Sequence, residues 1–187
     1  MSAMSRMIRG GVFLMGVILI GCGPQGEVER LIKRELATGV RNDSLFVGVY
    51  FGMEKQEFYD HCWKINRQGL VREGPENMSV RYQFQHEGQT IDFNFYPDVK
   101  DGITSKFKCV FSYEAWAPWN KSLQSDSLME VLPGILEDWY PGNGFILSNR
   151  EGQDFYYKVD GNRMIELYVV DERRIAAIYT DLSVFVD

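Results

Sequence analysis

Between residues 80 and 113 the chain alternates apolar and polar side chains with a period of two. Val80-Tyr82-Phe84, Ile91-Phe93-Phe95 and Phe107-Cys109-Phe111 each step over polar neighbours. Successive side chains of a strand point to opposite faces, so this pattern demands three antiparallel strands with one apolar and one wet face. His86-Glu87-Gly88-Gln89 supplies the turn between the first two.

Elsewhere the period is 3.6. Residues 27–36 place Val28, Leu31, Ile32 and Leu36 on one helical face, with Glu27, Glu29, Arg30, Lys33 and Arg34 opposite. After a turn at Arg41-Asn42-Asp43, a strand-like apolar run over 45–51 leads through Gly52-Met53 into a second helix over 54–66 that ends near Gly69. The second half repeats the order. Ser125-Asp126-Ser127 is expected to cap a helix over 128–139 closed by Pro141-Gly142, and Pro133-Gly134 should kink it or split it in two. Strands follow around 145–148, 155–159, 164–170 and 175–181, with Asp160-Gly161-Asn162 as a hairpin turn. The expected fold is α+β: two helix-then-antiparallel-meander units in tandem, the helices packed on a sheet. It forms a single domain over 27–187, with halves at about 27–120 and 121–187.

The N-terminus is a different kind of segment. Arg6 and Arg9 precede an apolar run over 12–20, too short to cross a bilayer as a mature helix, and small Gly21 follows. This is the form of a cleaved export signal. Ending in cysteine, Leu19-Ile20-Gly21-Cys22 resembles the lipobox of bacterial lipoproteins. The resemblance implies a signal peptide over 1–21, cleavage after Gly21, diacylation of Cys22 and a life in the bacterial cell envelope. Gly23-Pro24-Gln25-Gly26 then reads as a linker spanning at most about 14 Å. The mature chain of 166 residues carries 18 basic against 26 acidic side chains, a net charge of −8. With no basic stripe to neutralise phosphates, nucleic acid is excluded as a partner, and anionic headgroups repel the protein. Membrane attachment falls to the lipid, which holds stably with two or more acyl chains.

A second resemblance rests on Gly52-Met53-Glu54-Lys55-Gln56-Glu57-Phe58, which follows an apolar stretch and opens a helix ahead of three strands. It is similar to the Gly-Met-Thr-x-x-x-Val signature of small envelope lipoproteins of the BamE/SmpA type, and related modules occur in tandem in the fold of the β-lactamase inhibitory protein. The chain departs from that pattern in having Asn66-Arg67-Gln68-Gly69-Leu70 where Gly-x-Pro normally follows, and its second half has no Gly-Met. The resemblance implies a non-catalytic protein-binding module of the outer envelope, with the outer membrane as the favoured location.

The residues themselves offer little chemistry. His61 and His86 have no nucleophile beside them and no metal-ligand spacing; His61 and Cys62 are adjacent on a helix and face about 100° apart. His61 therefore reads as a helix-surface or partly packed residue and His86 as part of a solvated turn. No phosphate loop, Gly-x-Ser-x-Gly or HExxH is present, so no catalytic residue, metal or cofactor is assigned. Asp98-Val99-Lys100-Asp101-Gly102 lacks the alternating acids of a calcium loop and reads as a polar hairpin. Asp43-Ser44-Leu45 and Asp126-Ser127-Leu128 resemble an O-glycosylation triplet of some bacterial envelope proteins, though turn formation and helix capping account for both. Cys62 and Cys109 point into a core as free thiols, with a disulfide between them as the alternative in an oxidising envelope.

The candidate binding surface is aromatic: Trp116 and Trp119 in a Pro-containing connection, and Trp139 and Tyr140 at the far end of the following helix. Rings with a wet N–H edge suit protein recognition or stacking on sugars, and equally the closing of a core. The expected function is a lipid-anchored, non-catalytic protein-binding or assembly module with an envelope protein as partner. The alternatives are a glycan-binding lipoprotein using Trp116 and Trp119, and a small hydrolase.

Overall fold

The structure, a computed structural model, describes residues 24–75 and 78–185. The segment read as an export signal and Cys22 lie outside the described residues. Among the described residues three α-helices, α1 (Pro24–Ala37), α2 (Lys55–Arg67) and α3 (Ser125–Trp139), accompany eight strands: β1 (Val71–Glu73), β2 (Val80–His86), β3 (Gln89–Lys100), β4 (Ile103–Tyr113), β5 (Ile146–Arg150), β6 (Gln153–Asp160), β7 (Arg163–Val169) and β8 (Ile175–Asp181). The fold is α+β and mostly sheet. All eight strands form one antiparallel sheet in the order β1-β2-β3-β4-β8-β7-β6-β5, so the two last strands of the runs β1–β4 and β5–β8 pair in the middle, from Lys106↔Thr180 to Phe111↔Ile175.

Three of the hairpins turn on an acid followed by glycine: Glu87-Gly88, Asp101-Gly102 and Glu151-Gly152, all at positive φ. Two successive left-handed residues match the right-handed twist of the flanking strands. The turns at 87–88, 151–152 and 170–174 lie at one end of the sheet, called here the upper end. Those at 101–102 and 161–162 lie at the lower end.

The alternating residues meet as expected. Phe93 pairs with Tyr82 and Phe111, and Phe95 with Val80 and Cys109, so their side chains share one face. Ile165, Leu167, Ala177 and Tyr179 continue that face across β8 and β7. On it pack Phe58 and Cys62 of α2, Leu128, Leu132 and Leu136 of α3, and the segment 45–53. The first helix covers the opposite face instead: Leu31, flanked by Val28, Ile32 and Leu36, meets Phe155, Tyr157, Val159 and Met164.

Several local expectations change. Residues 24–26, read as linker, form the first turn of α1, consistent with the preference of proline for that position. The apolar run 45–51 makes no strand; it folds into a knot in which Leu45 N–H donates to the Val49 carbonyl at 2.9 Å and Val47 and Gly48 both adopt positive φ. The knot drives Phe46 into the centre of the core, 4.6 Å from Phe93, 4.7 Å from Phe95 and 5.4 Å from Tyr179 between ring centroids. Helix α3 is continuous through Pro133; the hydrogen bond the proline removes is offset by three fully buried leucines of the helix. Its N-cap is Gln124, not the Ser-Asp-Ser triplet. Ser125 is drawn into the helix by the 170–174 turn, its N–H donating to the Glu172 carbonyl at 2.9 Å and its hydroxyl to the Asp171 carbonyl at 2.6 Å. Strand β1, three residues long, adds to the expected elements.

Gly52 has φ +84 and open space around it, so a side chain there meets backbone strain alone. Its N–H donates to the Thr104 carbonyl at 2.8 Å, which pins the entrance of α2 to the lower end of the sheet. We expect Gly52→Val to cost about 1–3 kcal/mol. Phe46→Ala, which empties the middle of the core, should cost roughly 3–5 kcal/mol. Urea unfolding of the two variants measures both; a Phe46→Ala midpoint equal to the parent's would show that the knot is dispensable.

Candidate functional site

The polar phase of the alternation forms the other face of the sheet. There Arg81 of β2, Asp92 and Asn94 of β3 and Lys108 and Ser112 of β4 line the floor of an open groove of about 960 Å³. The groove is walled by the 170–174 turn and by Trp116, which the connection after β4 brings against that turn. The Trp116 Nε1–H donates to the Glu172 carbonyl at 3.2 Å, and the Arg173 guanidinium stands 5.5 Å above the indole. This wall exists only because β4 pairs with β8: Phe111 opposite Ile175 sets the 170–174 turn beside the end of β4.

Asp92, Asn94 and Ser112 are buried although they face a groove, because they are short side chains among longer ones. The Gln83 side-chain amide donates to Asp92 Oδ1 at 2.8 Å, Arg81 Nε donates to Asn94 Oδ1 at 3.4 Å, and an Arg81 nitrogen lies 3.9 Å from Asp92 Oδ2. On the wall, Arg174 pairs with Asp171 at 2.6 Å. Its guanidinium holds the Asp171 carboxyl below the usual range, helped by the backbone N–H groups of Arg173 and Arg174. Fixed donors, fixed acceptors and one aromatic wall equip the groove to grip an uncharged or zwitterionic polar ligand. Among the described residues no three His, Cys, Asp or Glu side chains gather as metal ligands.

The four aromatic candidates do not form one surface. Trp116 is half-buried in the groove wall, and Trp119, three residues on, is 85% exposed. Helix α3, about 22 Å long at 1.5 Å per residue, separates them from the other pair. Trp139 packs edge-on against Phe84, 4.9 Å between centroids. Tyr140, expected as a binding residue, is 3% exposed and lies in the core under the Arg163 guanidinium; burial pushes its phenol well above the usual value. Both close the core end, the other role such rings can take.

Of the histidines, His61 Nε2 lies 2.7 Å from the Val47 carbonyl and braces the knot from α2; His86 is half-buried at the end of β2. Asp98 pairs with Lys108 at 3.0 Å across the β3–β4 hairpin. Cys62 and Cys109 are buried free thiols, and burial pushes the Cys62 thiol up to about 12.

A second polar cluster sits inside the protein. Lys158, 1% exposed, pairs with Asp160 at 2.9 Å and donates to the Asn143 carbonyl; Arg163 lies 3.5 Å from the same carboxylate and donates to the Ser44 carbonyl at 3.2 Å. Asn162 bridges Asp43 and Asp181 at 2.9 and 3.0 Å. Gly161 has φ +55, and a Cβ there would stand 2.2 Å from the Val40 carbonyl oxygen. The cluster therefore clasps the chain after α1 to the lower end of β6, β7 and β8. It is a structural fastening.

No family model matches the chain, and neither a curated protein nor a solved structure matches it.

The floor of the groove was visible in the sequence as the polar half of the alternation; its wall was not, because residues 171–174 reach it through a strand pairing some 65 residues apart in sequence. If the aromatic roles are as placed, Trp139→Ala should lower stability by about 3–5 kcal/mol, whereas Trp119→Ala should leave the unfolding midpoint unchanged within error. Equal losses in thermal unfolding would contradict the division.

Proposed function

We propose that the chain is a non-catalytic lipoprotein of the bacterial envelope, anchored through Cys22, that binds an extended segment of an envelope protein in the groove on the polar sheet face. The groove itself is the observation that supports this reading: its floor offers Asp92, Asn94 and Ser112 as fixed hydrogen-bonding groups, and its wall offers charges of both signs. Backbone amides and mixed side chains of a peptide are complementary to such a lining. We also read each half, α2 with β1–β4 and α3 with β5–β8, as a helix-then-meander unit, the layout of the envelope modules the Gly52-Met53 segment resembles.

Glycan binding is the second reading, favoured by Trp116 lining the same groove as the polar side chains of Asp92, Asn94 and Ser112, since sugars take both aromatic and hydrogen-bonding contacts. A photo-crosslinking residue at Val110, inside the groove, should capture one defined envelope protein from intact cells. Capture should be lost when Asn94→Trp fills the floor and kept when Trp63, exposed on α2, is changed to alanine. Val110 crosslinks that persist in Asn94→Trp would remove the groove from the account. Calorimetry with peptidoglycan fragments reads out the alternative, and Cys22→Ser should abolish lipid labelling.

A further inference from the structure

We infer that the upper end of the sheet faces the lipid bilayer, with Trp119 in the headgroup layer. The inference rests on the lipidation of Cys22 proposed above and adds the orientation of the folded domain. Helix α1 begins at Pro24, two residues after Cys22, so the acyl chains attach within about 7 Å of its first turn. The helix cannot swing freely, because Leu31 is buried against Tyr157 and Val159. Its direction is set at the other end, where the Gly161 N–H, at the lower turn of β6, donates to Glu35 Oε2 at 3.3 Å. From Glu35 back to Pro24 the helix rises about 16 Å, the length of roughly five strand residues. That carries its N-terminus up along β6, past Tyr157, toward the turn at 151–152. Glu27, one turn from the start, lies close enough to Tyr157 to raise the phenol's pKa after burial has done so.

The start of α1 thus stands level with the middle of β6, and the two residues back to Cys22 let the anchor reach about 7 Å further toward the upper end, the end to which the connection after β4 also belongs. That connection is held there twice: Glu114 N–H donates to the Thr90 carbonyl at 3.0 Å, and Ser125 N–H to the Glu172 carbonyl. Trp119 lies between those fastenings, the most exposed large apolar side chain of the described residues. Strands β4 and β6 are three strand spacings apart, about 14 Å, so a flat surface that meets the anchor meets this loop as well. An indole exposed beside a lipid anchor has the amphipathic form that concentrates at membrane interfaces. The lower end, eleven residues of β4 away, stands roughly 35 Å off.

The test uses the lipidated protein in vesicles whose phospholipids carry bromine on the upper acyl chain, with the lipid on Cys22 verified by mass and by flotation. Part of the tryptophan emission should be lost in the brominated vesicles, and Trp119→Phe should abolish that loss. A fluorophore attached at Lys100→Cys, at the lower end, should keep its full emission. A lipidated, floating protein without Trp119-dependent quenching, or one whose lower-end fluorophore is quenched instead, overturns the orientation and leaves the anchor standing. A protein that carries no lipid and does not float overturns the anchor and the orientation together.

Discussion

The pairing of β4 with β8 is the interaction on which the other features depend. It converts two runs of neighbouring strands into one eight-stranded sheet, and six residue pairs carry it. On one face this ladder brings Phe107, Cys109 and Phe111 beside Ile175, Ala177 and Tyr179, a surface broad enough to need α2, α3 and the Phe46 knot as cover. Phe46 touches rings from both sides of the seam, Phe93 and Phe95 on one and Tyr179 on the other. Each such aromatic contact adds about 0.5–1.5 kcal/mol beyond area burial. On the reverse face the same ladder sets the 170–174 turn beside Trp116 and so gives the polar groove its wall. Core and groove are two sides of one pairing.

What the sequence revealed, and what it hid, follows from the range of the forces involved. The strands β2, β3 and β4 were legible because alternation is local. Strand β1 was not, since Val71-Arg72-Glu73 is too short to show a period. Alternation also says which residues share a face without saying which face. In β6 the apolar phase Phe155-Tyr157-Val159 points to α1, and the other phase carries Lys158 and Asp160 to the core side, where ion pairing compensates their burial. Read alone, Lys158 belongs in water. The N-terminal end of α3 departs from the local expectation for a similar reason: the Ser125 hydroxyl is engaged by a carbonyl 46 residues away that no local rule includes.

The candidate site was half legible. Arg81, Asp92, Asn94 and Ser112 occupy the wet phase of a pattern that is plain in the chain, and Trp116 was among the aromatic residues singled out. Trp139 and Tyr140 are of the same residue types, and only their position at the end of α3, over Phe84 and beneath Arg163, assigns them to the core. Burial decided the matter.

Native-state hydrogen exchange tests the central claim most directly. If the β4–β8 ladder makes the sheet one cooperative unit, amides in 106–111 and 175–180 should exchange only through global unfolding, with the same free energy and the same denaturant dependence in both segments. An independent, lower-energy opening of β5–β8 while β2–β4 stay protected would contradict it.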